Sequence, residues 1–259
     1  MIPLLRACLK TAALVLLVLA ILPVQWLLLP FDALASRSAR LWHRAVCKVL
    51  GLSIDVIGQP LGGVEIAFVG NHLSYLDIPL LGSVLRGSFV AKREMRQWPL
   101  LGMMAKLQRT VFISRVPGDA RVAVDQVEAA LAAGRNLILF PEGTTSDGSR
   151  VLPFKSSVFT VLLPRMAAGL RLQPVSLELL SVDGRLARDS AVRNRYAYHS
   201  EMVLGPHLWA FMHARGAHLR LCFHPPLDAQ RFAGRKELAQ HVRDVVASGL
   251  SFAPGAKQG

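Results

Sequence analysis

The sequence predicts an α/β fold: a mixed sheet flanked by helices and preceded by an N-terminal membrane-anchoring helical segment. Three observations carry this. Short apolar, β-branched runs alternate with amphipathic runs over most of the chain, the pattern of a sheet with helices on its faces. Residues 11–31 form an apolar stretch in which Gln25 is the one strongly polar side chain, long enough to span a bilayer. And 259 residues suffice for one α/β domain plus an appendage, with a core that needs no staples.

In chain order, the apolar stretch comes first. Arg6 and Lys10 precede it, and Arg37, Arg40, Arg44 and Lys48 follow, so positive charge on both flanks gives no clean orientation. Pro23 and Pro30 interrupt it, which places two short helices dipping into one leaflet beside a single span. Ala33-Leu34-Ala35 resembles a signal-peptide cleavage site, but the apolar region is longer than a typical h-region and basic residues crowd behind it. The expectation is an anchor over 1–50, with the remaining chain on the cytoplasmic side. Strands are expected at 53–57, 65–69, 88–91, 110–114, 136–140, 172–177 and 218–223. Helices are expected at 98–108, 120–133, 157–168 and 236–249. Val122, Val124, Val127, Ala130 and Leu131 trace an apolar stripe on the second of these, and Gly134 stops it. Residues 183–198 are polar and arginine-rich and read as a surface loop or insertion; 254–259 read as a frayed tail.

The chain is 52% hydrophobic, yet 30 Lys and Arg against 17 Asp and Glu leave it at +13. That balance asks for an anionic partner, and the high apolar content favours an anionic membrane surface over nucleic acid. Cys8, Cys47 and Cys222 are far apart and odd in number, which fits no disulfide framework and no zinc spacing. His207, His213, His218 and His224 match no metal site either. No Gly-x-Ser-x-Gly elbow, P-loop or dinucleotide fingerprint is present.

Chemistry concentrates after two of the expected strands. In Asn71-His72-Leu73-Ser74-Tyr75-Leu76-Asp77 an imidazole stands five residues ahead of a carboxylate. Histidine is the side chain best poised to take a proton near neutral pH, and an aspartate can hold its tautomer. In a helix those positions diverge by about 140°, so the pair meets only if the chain bends. Pro79 places a helix start near Leu76 or Asp77 and leaves His72 on the entering loop. The plainer alternative makes Asp77 an N-cap, or Ser74 and Asp77 a capping box. Residues 110–115 read as a strand ending in Arg115, an anion clamp or a solvated charge. Phe140-Pro141-Glu142-Gly143-Thr144 follows another strand, where glycine permits close backbone approach or positive φ, with Arg150 and Lys155 just beyond.

Taken in order, these segments resemble the four blocks of the lysophospholipid acyltransferase family, whose members include 1-acyl-sn-glycerol-3-phosphate acyltransferases. His72 to Asp77 fits the block in which four residues separate histidine from aspartate. Phe112 to Arg115, Phe140 to Thr144 and Pro174-Val175 fit the other three. The resemblance covers about 54–223. It implies a catalytic domain over 51–250 that moves a fatty acyl group from an acyl thioester to the hydroxyl of a lysolipid in membrane lipid biosynthesis. It implies His72 as general base, Asp77 as its partner, and Arg115, Glu142, Gly143, Thr144, Arg150 and Lys155 around the acceptor. It implies no metal and no cofactor, with the thioester of an acyl carrier protein or of coenzyme A as co-substrate. It also implies the inner membrane as location, with the catalytic domain on the cytoplasmic face. Phosphate-handling members usually carry arginine directly after the third block's threonine, and here Thr145 stands there. Arg195-Tyr196-Ala197-Tyr198 and Pro206-His207-Leu208-Trp209 resemble the bacterial branch that acylates lyso-ornithine lipid. The competing reading is a non-catalytic, basic membrane-binding lipid carrier or sensor.

Overall fold

The computed structural model describes residues 2–63, 65–98, 101–113 and 120–251. Arg115, Ser114 at the end of one expected strand, and the tail at 254–259 lie outside the described residues. The chain begins with α1 (Ile2–Leu28) and α2 (Asp32–Leu50), then β1 (Leu52–Ile57) and β2 (Ile66–Gly70). Next come α3 (Asp77–Val84), β3 (Ser88–Lys92), α4 (Leu101–Leu107), β4 (Val111–Ile113), α5 (Ala120–Ala132) and β5 (Leu137–Leu139). The last third holds α6 (Phe159–Ala167), β6 (Arg171–Val182), β7 (Arg185–Leu186), α7 (Ser190–Arg193), α8 (Leu204–His213), β8 (Ala217–Phe223) and α9 (Arg235–Ser248).

Among the described residues the strands form one sheet in the order β1-β8-β6-β2-β5-β3-β4, with β7 paired to the end of β6. From β6 to β4 all neighbours are parallel; β8 runs antiparallel to β6, and β1 parallel to β8. The sheet is therefore mixed. β2 lies between β6 and β5 and is buried along its whole length. That explains its unbroken apolar run, since a parallel strand covered on both faces does not alternate with polar residues. Its side chains still divide with period two. Ile66 and Phe68 join one core with Leu80, Leu177 and Phe211, while Ala67 and Val69 join another with Val127, Leu162 and Val242. α2, α3 and α8 thus cover one face, and α5, α6 and α9 the other.

Two local expectations are corrected. Pro23 does not interrupt the first helix, which continues to Leu28; the run turns at 29–31, around Pro30. Residues 183–198 are not a loose insertion. Asp183 and Gly184, both at positive φ, make the two-residue turn that pairs Val182 with Arg185. A helical turn follows, and the chain then returns to the core, where Tyr196 is fully buried.

α1 is long and apolar enough to cross a membrane, but it is tied to the body near both ends. Arg6 donates to the carbonyl of His213, and Lys10 Nζ to those of Leu50 and Ala214, each 2.8 Å away. These are the C-terminal carbonyls of α8 and α2, where cations are favoured. At the other end Gln25 donates to the carbonyl of Ala35, and Arg109 to that of Leu29. Leu5, Leu9, Leu16, Leu19, Trp26 and Leu27 are left exposed along the outer surface.

Candidate active site

β2 ends at Gly70, where an added Cβ would lie 2.7 Å from the carbonyl oxygen of Val175 on β6. The strands are that close, and only glycine fits. At the next residue a side chain takes over the pairing. Asn71 donates from Nδ2 to the Leu177 carbonyl and accepts from the Leu177 N–H, both at 2.8 Å. This doublet sends the backbone away from the sheet at a fixed angle, and His72 is the first residue on the new course.

The loop His72–Leu76 then folds around the first residue of α3. Asp77 Oδ2 accepts from the Leu73 N–H at 2.7 Å and the Ser74 N–H at 2.9 Å, and lies 2.6 Å from His72 Nδ1. Asp77 is 0% exposed, while the His72 side chain keeps 18%. Half of the capping box is present too: the Asp77 carboxylate reaches back to the Ser74 N–H, while Ser74 Oγ accepts weakly from the Leu76 N–H instead of from that of Asp77. The two readings of Asp77 coexist: its carboxylate closes the loop by means of the same oxygen that holds the imidazole. An oxygen that only accepts requires the proton on Nδ1. Nε2 is then the ring's free lone pair, and it takes no hydrogen bond among the described residues. Phe140 fixes the ring plane by stacking at 4.0 Å, 7° from parallel.

The segment after β5 packs against this loop. The Ser146 N–H donates to the His72 carbonyl at 2.9 Å. Glu142 is buried, accepting from the Leu152 N–H at 3.0 Å and from the His72 N–H at 3.4 Å. Its carboxyl is pushed up to about 8: burial dominates and Asp77 adds repulsion, against those two backbone bonds and the distant Arg243. Near neutral pH it is mostly uncharged, so it does not add a second full negative charge beside Asp77. Gly143 has φ +73°, and a Cβ there would sit 3.0 Å from Lys155 Cε and Nζ. The lysine therefore lies directly over the turn. Thr144, Arg150 and Lys155 are exposed, and Thr145 is half-buried. Pro174 pairs with Val69 in the sheet. His218 meets Asp55 across β1 and β8, His213 bonds the Trp209 carbonyl, and His224 bonds Ser176. Among the described residues no group of three His, Cys, Asp or Glu side chains is placed to hold a metal.

Residue spacing gave no hint of what completes the cluster. Tyr196 Oη donates to Asp77 Oδ1 at 2.9 Å, from 119 positions away, and the Tyr198 N–H donates to the Leu73 carbonyl at 2.9 Å. His207, on α8, bonds Tyr75 through Nδ1 at 3.0 Å, and through Nε2 the carbonyls of Ala197 and Asn194 at 3.0 and 3.1 Å. The two segments noted for their resemblance to one bacterial branch, 195–198 and 206–209, thus meet each other on the loop that carries His72.

A family profile described as Acyltransferase matches residues 60–178. The chain is 34% identical to a lyso-ornithine lipid O-acyltransferase of Brucella abortus, over 98% of this chain and 97% of the relative. It is 31% identical to a 1-acyl-sn-glycerol-3-phosphate acyltransferase of Neisseria meningitidis, over 81% of each. The crystal structure of a 1-acyl-sn-glycerophosphate acyltransferase from Thermotoga maritima shares the fold, with a TM-score of 0.67, 22% identity and 95% of both chains covered. A lipid carrier without catalytic function is not what such kinship describes, and on these matches the chain belongs to the acyltransferase family and is an acyltransferase acting on lysolipids.

Proposed function

We propose that this protein esterifies the free hydroxyl of a lysolipid with the acyl group of an acyl carrier protein or coenzyme A thioester, with His72 as general base. The observation that carries this is the 2.6 Å contact between His72 Nδ1 and a fully buried carboxylate, which leaves Nε2 without a hydrogen bond among the described residues on a side chain that stays partly exposed. Nε2 takes the proton of the acceptor hydroxyl as its oxygen attacks the thioester carbonyl. Collapse of the tetrahedral intermediate breaks the C–S bond and forms the ester; the thiolate leaves with the proton returned by the imidazolium. Asp77 holds the tautomer and offsets the positive charge that the ring gains. The steps call for no acyl-enzyme, no metal and no cofactor.

For the acceptor we favour lyso-ornithine lipid. Lyso-ornithine lipid O-acyltransferases of three further bacteria match at 31–34% identity over 80–95% of this chain. Thr145 removes a guanidinium from the place where a phosphomonoester would need one. Arg115, Gly143, Thr144, Arg150 and Lys155 border the acceptor in this reading, and buried Glu142 shapes its floor. Residues 1–50 serve as the anchor and 51–250 as the catalytic domain. A spanning helix would carry one end about 30 Å away across the bilayer, whereas α1 is bonded to the body near both ends. We place α1 flat in one leaflet of the inner membrane, on the cytoplasmic side, where cationic residues meet anionic lipid.

The test offers labelled acyl thioesters to the purified protein in mixed micelles containing lyso-ornithine lipid or 1-acyl-glycerol-3-phosphate. Labelled ornithine lipid is the expected product. Transfer confined to 1-acyl-glycerol-3-phosphate would overturn the acceptor assignment, and transfer to no lysolipid would overturn the activity.

A further inference from the structure

The geometry points to Tyr196 as a positioning residue for this reaction, a buried phenol that holds the second oxygen of Asp77 so that the first stays on His72. The inference rests on the reading of His72 and Asp77 as base and partner. Tyr196 lies outside the segment that the family profile matches, 60–178. Four groups converge on the Asp77 carboxylate. Oδ2 receives the imidazole and two backbone N–H groups, and Oδ1 receives the Tyr196 hydroxyl at 2.9 Å. Without the phenol, Oδ1 would be a buried charged oxygen lacking a donor among the described residues, and the carboxylate would be held through Oδ2 alone.

Tyr196 is itself held in place. Its ring packs edge-on against Phe211 at 6.1 Å, and the 194–198 strap is fastened at three points. The Tyr198 N–H bonds the Leu73 carbonyl within the catalytic loop. His207 Nε2 faces the carbonyls of Asn194 and Ala197, which only accept, so that nitrogen carries the proton and Nδ1 accepts from Tyr75 Oη. Loop, strap and α8 are thereby joined in one network that ends on Asp77. Burial, and then Asp77 itself, push the Tyr196 phenol well above its ordinary value, so it remains a donor across the working range. The titratable groups facing the pair are Tyr196 and Glu142, with Tyr75 and Cys47 behind the phenol.

Tyr196→Phe keeps the ring and deletes the bond. A carboxylate with one donor fewer is more basic and favours the imidazolium, so the acid limb of the kcat profile should move up by about half to one pH unit. The plateau kcat should fall by roughly 3- to 10-fold, the range for losing one hydrogen bond, with KM for the lysolipid unchanged. In an Asp77→Asn background the same change should add no further loss, since it acts through that carboxylate. A limb that stays in place, or losses that multiply, would overturn the role of Tyr196. If Asp77→Asn alone keeps the native rate, the reading of the dyad fails instead and takes this inference with it. Should Tyr196→Phe not fold, 3-fluorotyrosine placed at position 196 donates more strongly and should move the limb to lower pH; no movement would again overturn the proposal.

Discussion

Replacing Asp77 with asparagine changes one atom and removes one charge. Three donors converge on Oδ2: the His72 Nδ1–H and the N–H groups of Leu73 and Ser74. The asparagine must present its oxygen to them and turn its amide nitrogen toward Tyr196, whose hydroxyl rotates to accept. The loop keeps its bonds, so Asp77→Asn should fold, losing about 1–3 kcal/mol as charged hydrogen bonds become neutral ones. Catalysis suffers more. When the acceptor's proton moves to Nε2, a unit positive charge forms on a ring whose Nδ1 lies 2.6 Å from the carboxylate. With charge centres about 4 Å apart at an effective permittivity of about 20, the attraction is about 4 kcal/mol. Its loss corresponds to roughly a 10³-fold lower rate. The assay is the initial rate of labelled acyl transfer at saturating donor and acceptor, with lysolipid binding measured separately on the same preparation. A thousand-fold slower variant that binds lysolipid normally fits the argument. A folded variant slowed by less than 10-fold would refute it, because the carboxylate would then contribute orientation alone.

Three further outcomes follow from particular residues. The Glu142 carboxyl has a folded value near 8 against an ordinary 4.5, so the folded state holds a proton that the unfolded chain releases between those values. The resulting stability is full below about pH 4.5 and is lost as pH rises through 8, by roughly 1.4 kcal/mol per unit. Glu142→Gln removes this dependence; denaturant unfolding at pH 5 and pH 8 should show the native advantage shrinking with pH, and parallel profiles would contradict it. Thr145→Arg should raise kcat/KM for 1-acyl-glycerol-3-phosphate by about 10-fold or more, since a charged hydrogen bond is worth about 1.5–3 kcal/mol. No gain in the steady-state assay would show that Arg150 or Lys155 already serves that anion. For the anchor, cysteines placed at Leu5 and Leu27, in a background lacking the native thiols, should both react with reagents confined to the cytoplasmic side. Labelling of one end from each side would establish a span.

Much of this architecture is legible locally because strands and helices write their period into the chain. The seven expected strands coincide with β1 to β6 and β8, and Pro79 correctly marks where α3 begins and hence that His72 precedes it. The pairing of His72 with Asp77 follows from the bend between them, a short-range matter. What was not legible depends on distance along the chain. Residues 183–198 are polar in bulk, and a composition reading sends them to the surface. Only Ala187, Val192, Tyr196 and Ala197 are buried, and Tyr196 finds its partners in Phe211 on α8 and in Asp77. α8 was missed for a related reason: it is apolar on nearly every side because one flank meets the core through Phe211 and Met212 while Trp209 stays exposed. Pro23 misled in the opposite sense. Its ring removes one backbone bond from α1, but a helix held near both ends by Lys10 and Gln25 need not break there.

The most direct test of the account is His72→Ala, assayed for acyl transfer and for lysolipid binding in the same micelles. Transfer should fall by several orders of magnitude with binding intact, because the ring contributes a lone pair rather than a grip on the acceptor. Transfer at near the native rate by the folded variant would contradict it.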